Sequence, residues 1–167
     1  MTVIVIAVGD DRPGLTSSLA EAIMAVEGNW LESHFARLGD KFVGSVLVDL
    51  AADRLGALQD AAAGMDAAGF HVTVLPAGDA AQPAGQPLAF EIVGRDRPGI
   101  VREVTSALVE HGVNIEELES GTEDGAMFGG RMFRARARVV VPEGTPPERV
   151  REALERISGE IMVDFED

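Results

Sequence analysis

The groups in this chain that could recognise a small molecule sit in a phrase written twice. Residues 9–14 read GDDRPG and residues 94–99 read GRDRPG, each directly after an apolar run and directly before a stretch with helical spacing. The start of a helix leaves its first N–H groups without intrahelical acceptors and carries a partial positive charge. The N–H groups of Gly14 and Leu15, and of Gly99 and Ile100, therefore suit a carboxylate. Glycine removes the Cβ that would obstruct the approach. Asp11 and Asp96, a few residues upstream, can hold an ammonium. Asn29 and Asn114, the same distance beyond Pro13 and Pro98, each offer a donor and an acceptor together. Carboxylate site, ammonium site and amide describe an α-amino acid. The residue before the shared DRPG is Asp10 in one copy and Arg95 in the other, so the two loops need not bind equally. The same residues also have a purely structural reading: proline opens the helix, aspartate caps it, glycine permits a turn and asparagine ends a helix–strand connection.

Other chemistry is sparse. The chain has no cysteine and no tyrosine, and shows no nucleophile elbow, Walker A loop or G-x-G-x-x-G after a strand. GDDRPG is too short to wrap a pyrophosphate. His34, His71 and His111 are scattered, with none at metal-ligand spacing. No catalytic residue, metal or cofactor is expected. Arg134, Arg136 and Arg138 alternate with alanines and project from one face of a strand. Glu117 and Glu119 alternate on the preceding strand and could pair with them across a hairpin. Trp30 follows Asn29 and reads as a core residue or a neighbour of the ligand loop. GAMFGG, residues 125–130, reads as an ordinary hairpin loop or a lid.

The elements that position these groups repeat as well. Placing Pro13 over Pro98 carries Asn29 onto Asn114 and Ile23 onto Leu108 without a gap. A chance DRPG is an event on the order of 10⁻⁵ per position, so two copies in matched contexts indicate an internal repeat. In the first half Val3–Val8 reads as a strand. Leu15, Leu19, Ile23 and Val26 mark a helix opened by Pro13, and Trp30–Leu38 with Phe42–Leu50 form a hairpin. Leu55, Leu58, Ala62 and Met65 mark a second helix, and Phe70–Leu75 a last strand. The second half repeats the order, with a longer glycine-rich loop TEDGAMFGG. The fold class is α+β: two ferredoxin-like βαββαβ domains, each a four-stranded antiparallel sheet with two helices on one face. Residues 1–75 form the first domain, the Ala/Pro/Gly-rich stretch 76–87 a linker, and 88–167 the second domain.

A strand, G-x-D-R-P-G, an amphipathic helix and an Asn at fixed distance, all twice over, resemble the ACT domain, a small-molecule-binding regulatory module of amino-acid metabolism. In that family the ligand sits where the loop before the first helix meets the start of the second strand, often across a domain interface. The resemblance implies ligand-binding roles for Asp11, Arg12, Pro13, Gly14, Leu15 and Asn29, and for Asp96, Arg97, Pro98, Gly99, Ile100 and Asn114. Two ACT domains without a catalytic domain are similar to the glycine cleavage system transcriptional repressor group, on architecture. The implied protein is an amino-acid-sensing regulator, with a ligand of the glycine or serine class, that acts through a regulatory protein partner. The alternative is an effector-binding subunit that docks on an enzyme of amino-acid metabolism.

Charge and strand pattern bound the partners. The formal net charge is -14, from 28 acidic against 14 basic residues, and the summed field repels polyphosphate and anionic membrane. Direct nucleic-acid or membrane binding is not expected. The N-terminal apolar run is too short for a membrane span, has no basic leader, and is followed by an acidic pair; with no cysteine, the cytoplasm is the expected compartment. VIVIAV is apolar at odd and even positions alike, a pattern of strands covered on both faces. A four-stranded layer with helices on one side leaves the other open, to be covered by the companion repeat or by a second copy of the chain; a homodimer paired through these domains is expected.

Overall fold

The β-branched run after Met1 forms β1 (Thr2–Asp10), the inner strand on which the first half is built. The structure is a computed structural model that describes residues 1–66, 69–78, 84–125, 130–157 and 161–166. After β1 come α1 (Leu15–Ala25), β2 (Asn29–Leu38), β3 (Lys41–Asp49), a 3₁₀ turn (Ala52–Arg54), α2 (Leu55–Asp66) and β4 (Phe70–Pro76). The second half follows with β5 (Gly85–Arg95), α3 (Ile100–Glu110), β6 (Asn114–Gly125), β7 (Gly130–Pro142), α4 (Pro147–Glu155) and β8 (Ile161–Glu166). The sheets have strand orders β2-β3-β1-β4 and β6-β7-β5-β8, every neighbour antiparallel. The chain divides into two units, Met1–Ala80 and Ala81–Asp167, each α+β with βαββαβ order.

In the first unit Val3, Val5 and Ala7 of β1 are wholly buried, packed with Leu15, Leu19 and Ile23 of α1 and Leu58 and Ala62 of α2. Alternation sends Ile4, Ile6 and Val8 to the other face, where Ile6 is 38% exposed. The second unit buries Leu88, Phe90 and Ile92 of β5 against Ile100, Val104 and Leu108 of α3 and Val150 and Leu154 of α4. The buried helical positions of α1 and α3 coincide when the repeats are superposed, because the i, i+4, i+8 spacing is the same.

Three expectations about element ends change. Both first helices begin one residue after the glycine, with Gly14 and Gly99 as N-caps, so Pro13 and Pro98 belong to the preceding turn and not to the helix. The glycines hold φ of 96° and 92°, which ends extended backbone without continuing into a helix. β5 starts at Gly85, earlier than the apolar pattern indicates. Gly85, Gln86 and Pro87 pair with Pro142, Val141 and Val140, so the neighbouring strand makes a strand of residues that hydropathy places in a linker. Thr122 to Gly125 likewise belong to β6, paired with Phe133 to Gly130; the rest of the proposed lid, 126–129, lies outside the described residues. So do 79–83 of the proposed linker. Among the described residues no helix is long and apolar enough to cross a membrane.

Candidate functional site

β1 ends at Asp10, level with Lys41 of β3, and the chain turns through 11–14 into α1. Leu15, only 6% exposed, pins the first helical turn to the core. Around the turn the polar groups are tied to the β2–β3 hairpin. Lys41 Nζ donates to Asp10 Oδ1; that bond and the ammonium charge hold the Asp10 carboxyl below its ordinary range and raise the lysine. The Asp11 N–H donates to the Asp40 carbonyl at 3.4 Å, and its carboxylate lies 3.3 Å from Arg37 Nε. Asp11 therefore does not cap α1. The N-cap is a glycine, and no atom lies within 4 Å of where a Cβ on Gly14 would stand. The helix start, with its N–H dipoles, is open to solvent on that side.

The second loop has the same backbone and different side chains. The Asp96 N–H donates to the Arg131 carbonyl at 2.9 Å, the counterpart of the Asp11 bond. Arg97 donates through both terminal nitrogens to Glu103 of α3, at 2.7 and 2.6 Å, and this fork holds the Glu103 carboxyl below its ordinary range. A groove of about 580 Å³ runs along α3 from Pro98 and Gly99 to Glu110, with Glu103 in its wall.

The asparagines stand elsewhere. Asn29 pairs with Asp49, and Asp49 with Thr2, which places it at the beginning of β1, whereas Asp10 and Asp11 lie at its end. The strand between spans roughly 25 Å at ~3.3 Å per residue. Asn114 is displaced in the same way, level with Val140 and Pro87 while Arg95 is level with Met132. Antiparallel pairing of β3 to both neighbours makes β2 parallel to β1, so within one domain the start of β2 cannot meet the loop after β1. Trp30 goes with Asn29, far from the loop, partly buried against the core with its ring 5.9 Å from Phe35.

Sequence reasoning missed Arg37, Lys41 and Glu103. Alignment of the repeats offered a signal for the last, since it sets Ser18 over Glu103. The arginine ladder is found on the face of the second sheet opposite the helices, with partly different partners. Arg138 pairs with Glu117 at 2.9 Å as alternation suggests. Arg134 and Arg136 both turn to Glu91 of β5, at 2.9 and 3.1 Å, and Arg136 does not take Glu119 opposite it. Hydrogen bonding from Arg134 holds the Glu91 carboxyl below its ordinary range.

Comparison with known proteins falls on the same halves. ACT domain family models match residues 1–72 and 89–159. The UPF0237 protein MK1213 of Methanopyrus kandleri is 34% identical over 76 residues, which cover 46% of this chain and 83% of that protein. The crystal structure of an unknown protein from Galdieria sulphuraria superposes with a TM-score of 0.80 at 29% identity, covering 99% of this chain and 96% of the other. A provisionally assigned glycine cleavage system transcriptional repressor superposes with a TM-score of 0.71 at 13% identity, covering 99% and 95%; at that identity the likeness is one of fold.

Proposed function

Because the chain belongs to the ACT domain family, with one domain in each half, we propose that it is an amino-acid-sensing regulatory protein with no catalytic centre of its own. The observation that carries the reading is the first loop: a glycine-capped helix start with open space beside Gly14 and the Asp11 carboxylate at its entrance. A ligand carboxylate takes the N–H groups of Gly14 and Leu15, and its ammonium shares the Asp11 carboxylate with Arg37. Arg12 and Pro13 shape the entrance. The ligand is a small α-amino acid of the glycine or serine class, as in the family the chain belongs to.

Asn29 reaches such a ligand only from a second copy of the chain. β2 is an edge strand with Asn29 at one end and Arg37, the partner of Asp11, at the other. Antiparallel pairing of two β2 strands about a two-fold axis brings Asn29 of one copy to the loop of the other. The regulated target is a protein, because a net charge of -14 opposes direct contact with nucleic acid. The architecture shared with the glycine cleavage repressor structure favours a transcriptional regulator.

Thermal-shift measurement against the twenty amino acids tests the reading. A ligand that binds only the native state at about a hundred times its Kd stabilises it by about 2.7 kcal/mol. The expected result is a rise in Tm with a small amino acid, weakened roughly tenfold or more in affinity by Asp11→Ala or Asn29→Ala. No shift with any of the twenty overturns it. Pull-down with and without the active amino acid then tells a transcription factor from a metabolic enzyme.

A further inference from the structure

We infer that β6, the outer strand of the second sheet, is the surface on which the regulated protein docks, and that it takes an extended segment of that protein in which apolar and basic residues alternate. The inference rests on the reading above only in taking the target to be a protein.

Among the described residues β6 pairs with β7 on one side and with no strand on the other, which leaves the outward N–H and C=O groups of a twelve-residue strand to a further strand. Such an edge gives main-chain bonds to any extended peptide, and the side chains on its two faces decide which peptide is taken. The two faces of β6 differ in chemistry. Beyond the bulge between Ile115 and Glu117, Leu118, Ser120 and Thr122 are level with the buried Ala137, Ala135 and Phe133 and so lie on the helix side. In the first domain Phe35, at the position of Ser120, covers the corresponding space with its ring, stacked on Phe42. Ser120 leaves it uncovered. An apolar cleft of about 10 Å³ enters there between α3 and β6, lined by Val101, Val104, Leu108, Ile115, Leu118 and Ala135, with room for about one methyl-sized group. Val101 and Leu118 are 41% and 40% exposed, at positions where the repeat alignment sets the polar Thr16 and Ser33. The hydroxyl of Thr105, beside them, donates to the Val101 carbonyl at 2.9 Å, so this face asks only for an apolar group.

On the other face Glu117, Glu119, Gly121 and Glu123 are level with Arg138, Arg136, Arg134 and Met132. Arg138 takes Glu117 and Arg134 reaches Glu123 at 3.4 Å, but Arg136 turns to Glu91 and leaves Glu119 without an ion pair among the described residues. Nothing lies within 4 Å of where a Cβ on Gly121 would stand, and a groove of about 310 Å³ lies here between Glu119 and Glu123. A basic side chain laid across Gly121 meets both carboxylates. Arg134 and Arg136 are already matched by Glu91, so the charge left over on this face is negative.

A second copy of the chain does not supply the complementary segment. Of the edge strands, β6 and β8 are acidic, β2 has one arginine and no lysine, and β4 has neither. The complement has apolar side chains on the side of Val101 and Leu118 and Lys or Arg on the side of Glu119, a period of two that a different protein provides.

Fluorescence anisotropy of the full chain with labelled peptides of about ten residues tests the inference. The probe alternates valine with lysine; one control has the same residues in two blocks, and another alternates valine with glutamate. The probe should bind roughly tenfold or more tighter than either control and slow amide hydrogen exchange in β6. Glu119→Lys, and separately Val101→Thr with Leu118→Ser, should each weaken it roughly tenfold with an unchanged circular dichroism spectrum, whereas Glu32→Lys on β2, the same change of charge, should not. Equal binding of the block peptide shows attraction to net charge alone and overturns the inference, as does protection of β2 in place of β6 or no binding of the probe. In each of those cases a rise in Tm with an amino acid leaves the regulatory reading standing. A probe that docks on β6 of a chain with no amino-acid response leaves the docking strand standing without that reading.

Discussion

Gly14 and Gly99 hold backbone angles that other residues adopt only with strain, and the space around each decides what a substitution costs. At Gly14 a new Cβ meets nothing within 4 Å, so Gly14→Ala adds no clash and destabilises only through its φ of 96°, by about 1 kcal/mol. Urea denaturation measures it; a loss several times larger means that something covers the loop. The duplicated phrase made both turns legible, since glycine after proline before an apolar helical pattern is a turn with a mechanism. What was not legible is the work of the neighbours. Asp11 reads as a cap in isolation, yet Arg37, from a strand far along the chain, takes its carboxylate and leaves the helix start open. Glu103 was legible only as a departure from the repeat, where Ser18 stands in the first copy, because its pairing depends on the reach of Arg97 back from the loop. That fork also has a pH signature. A carboxyl held below its ordinary range stabilises the fold above that range, and the contribution is lost as pH falls through the depressed value. Wild type should therefore be more stable than Glu103→Gln at pH 7, with the difference shrinking as pH falls below the ordinary carboxylate range, by thermal melting; a constant difference across pH contradicts the pairing.

At the level of elements, the two domains solve one packing problem in two ways. Across β2 and β3, Phe35 stands opposite Gly44, and its ring lies so close that a Cβ on Gly44 would overlap it at 2.0 Å. The ring stacks on Phe42 at 5.0 Å between centroids. Across β6 and β7 the corresponding pair is Ser120 opposite Ala135, a smaller side chain over a larger one. Gly44→Ala alone should destabilise by ~1–3 kcal/mol through overpacking. Phe35→Ser alone should destabilise through lost aromatic contact. The double variant recreates the second domain's pair, so it should be more stable than the sum of the two losses predicts, by at least ~0.5 kcal/mol in a double-mutant cycle. Strict additivity would show that the ring and the glycine are not coupled. The periodicities made the order of strands and helices legible, since apolar spacing alone distinguishes α1 from β1. Strand ends were less so: Gly85 to Pro87 and Thr122 to Gly125 are strands because β7, thirteen residues long, offers pairing along its whole length. Hydropathy does not record a neighbour's length.

For the whole molecule the open question is which surface a second copy would use. β2 is an edge of ten residues with Leu31 50% and Leu38 74% exposed and one acidic and one basic residue, Glu32 and Arg37, of opposite sign, and such an edge offers itself for pairing. Its counterpart β6 carries Glu116, Glu117, Glu119, Glu123 and Asp124, so two such strands side by side would set like charges together. The first domain is thus the one suited to self-association. Its sheet face offers a second surface, with Ile4, Ile6 and Val8 from β1 flanked by Val43, Leu47 and Leu75. Val5, by contrast, is wholly buried under the helices, so Val5→Asp would unfold the domain and could not test pairing. Because the chain has no cysteine, single introduced cysteines report contacts without interference. We expect a dimer in sedimentation equilibrium at micromolar concentration. We also expect rapid disulfide formation on mild oxidation of Ser33→Cys or His34→Cys, at the middle of β2 where a two-fold axis would bring the strand against itself. Cross-linking of Ile6→Cys in their place would move the interface to the sheet face and leave Asn29 without a loop to complete. A wild-type chain that sediments strictly as a monomer, with no cross-link from either position, would remove the dimer and with it the amide from the ligand site.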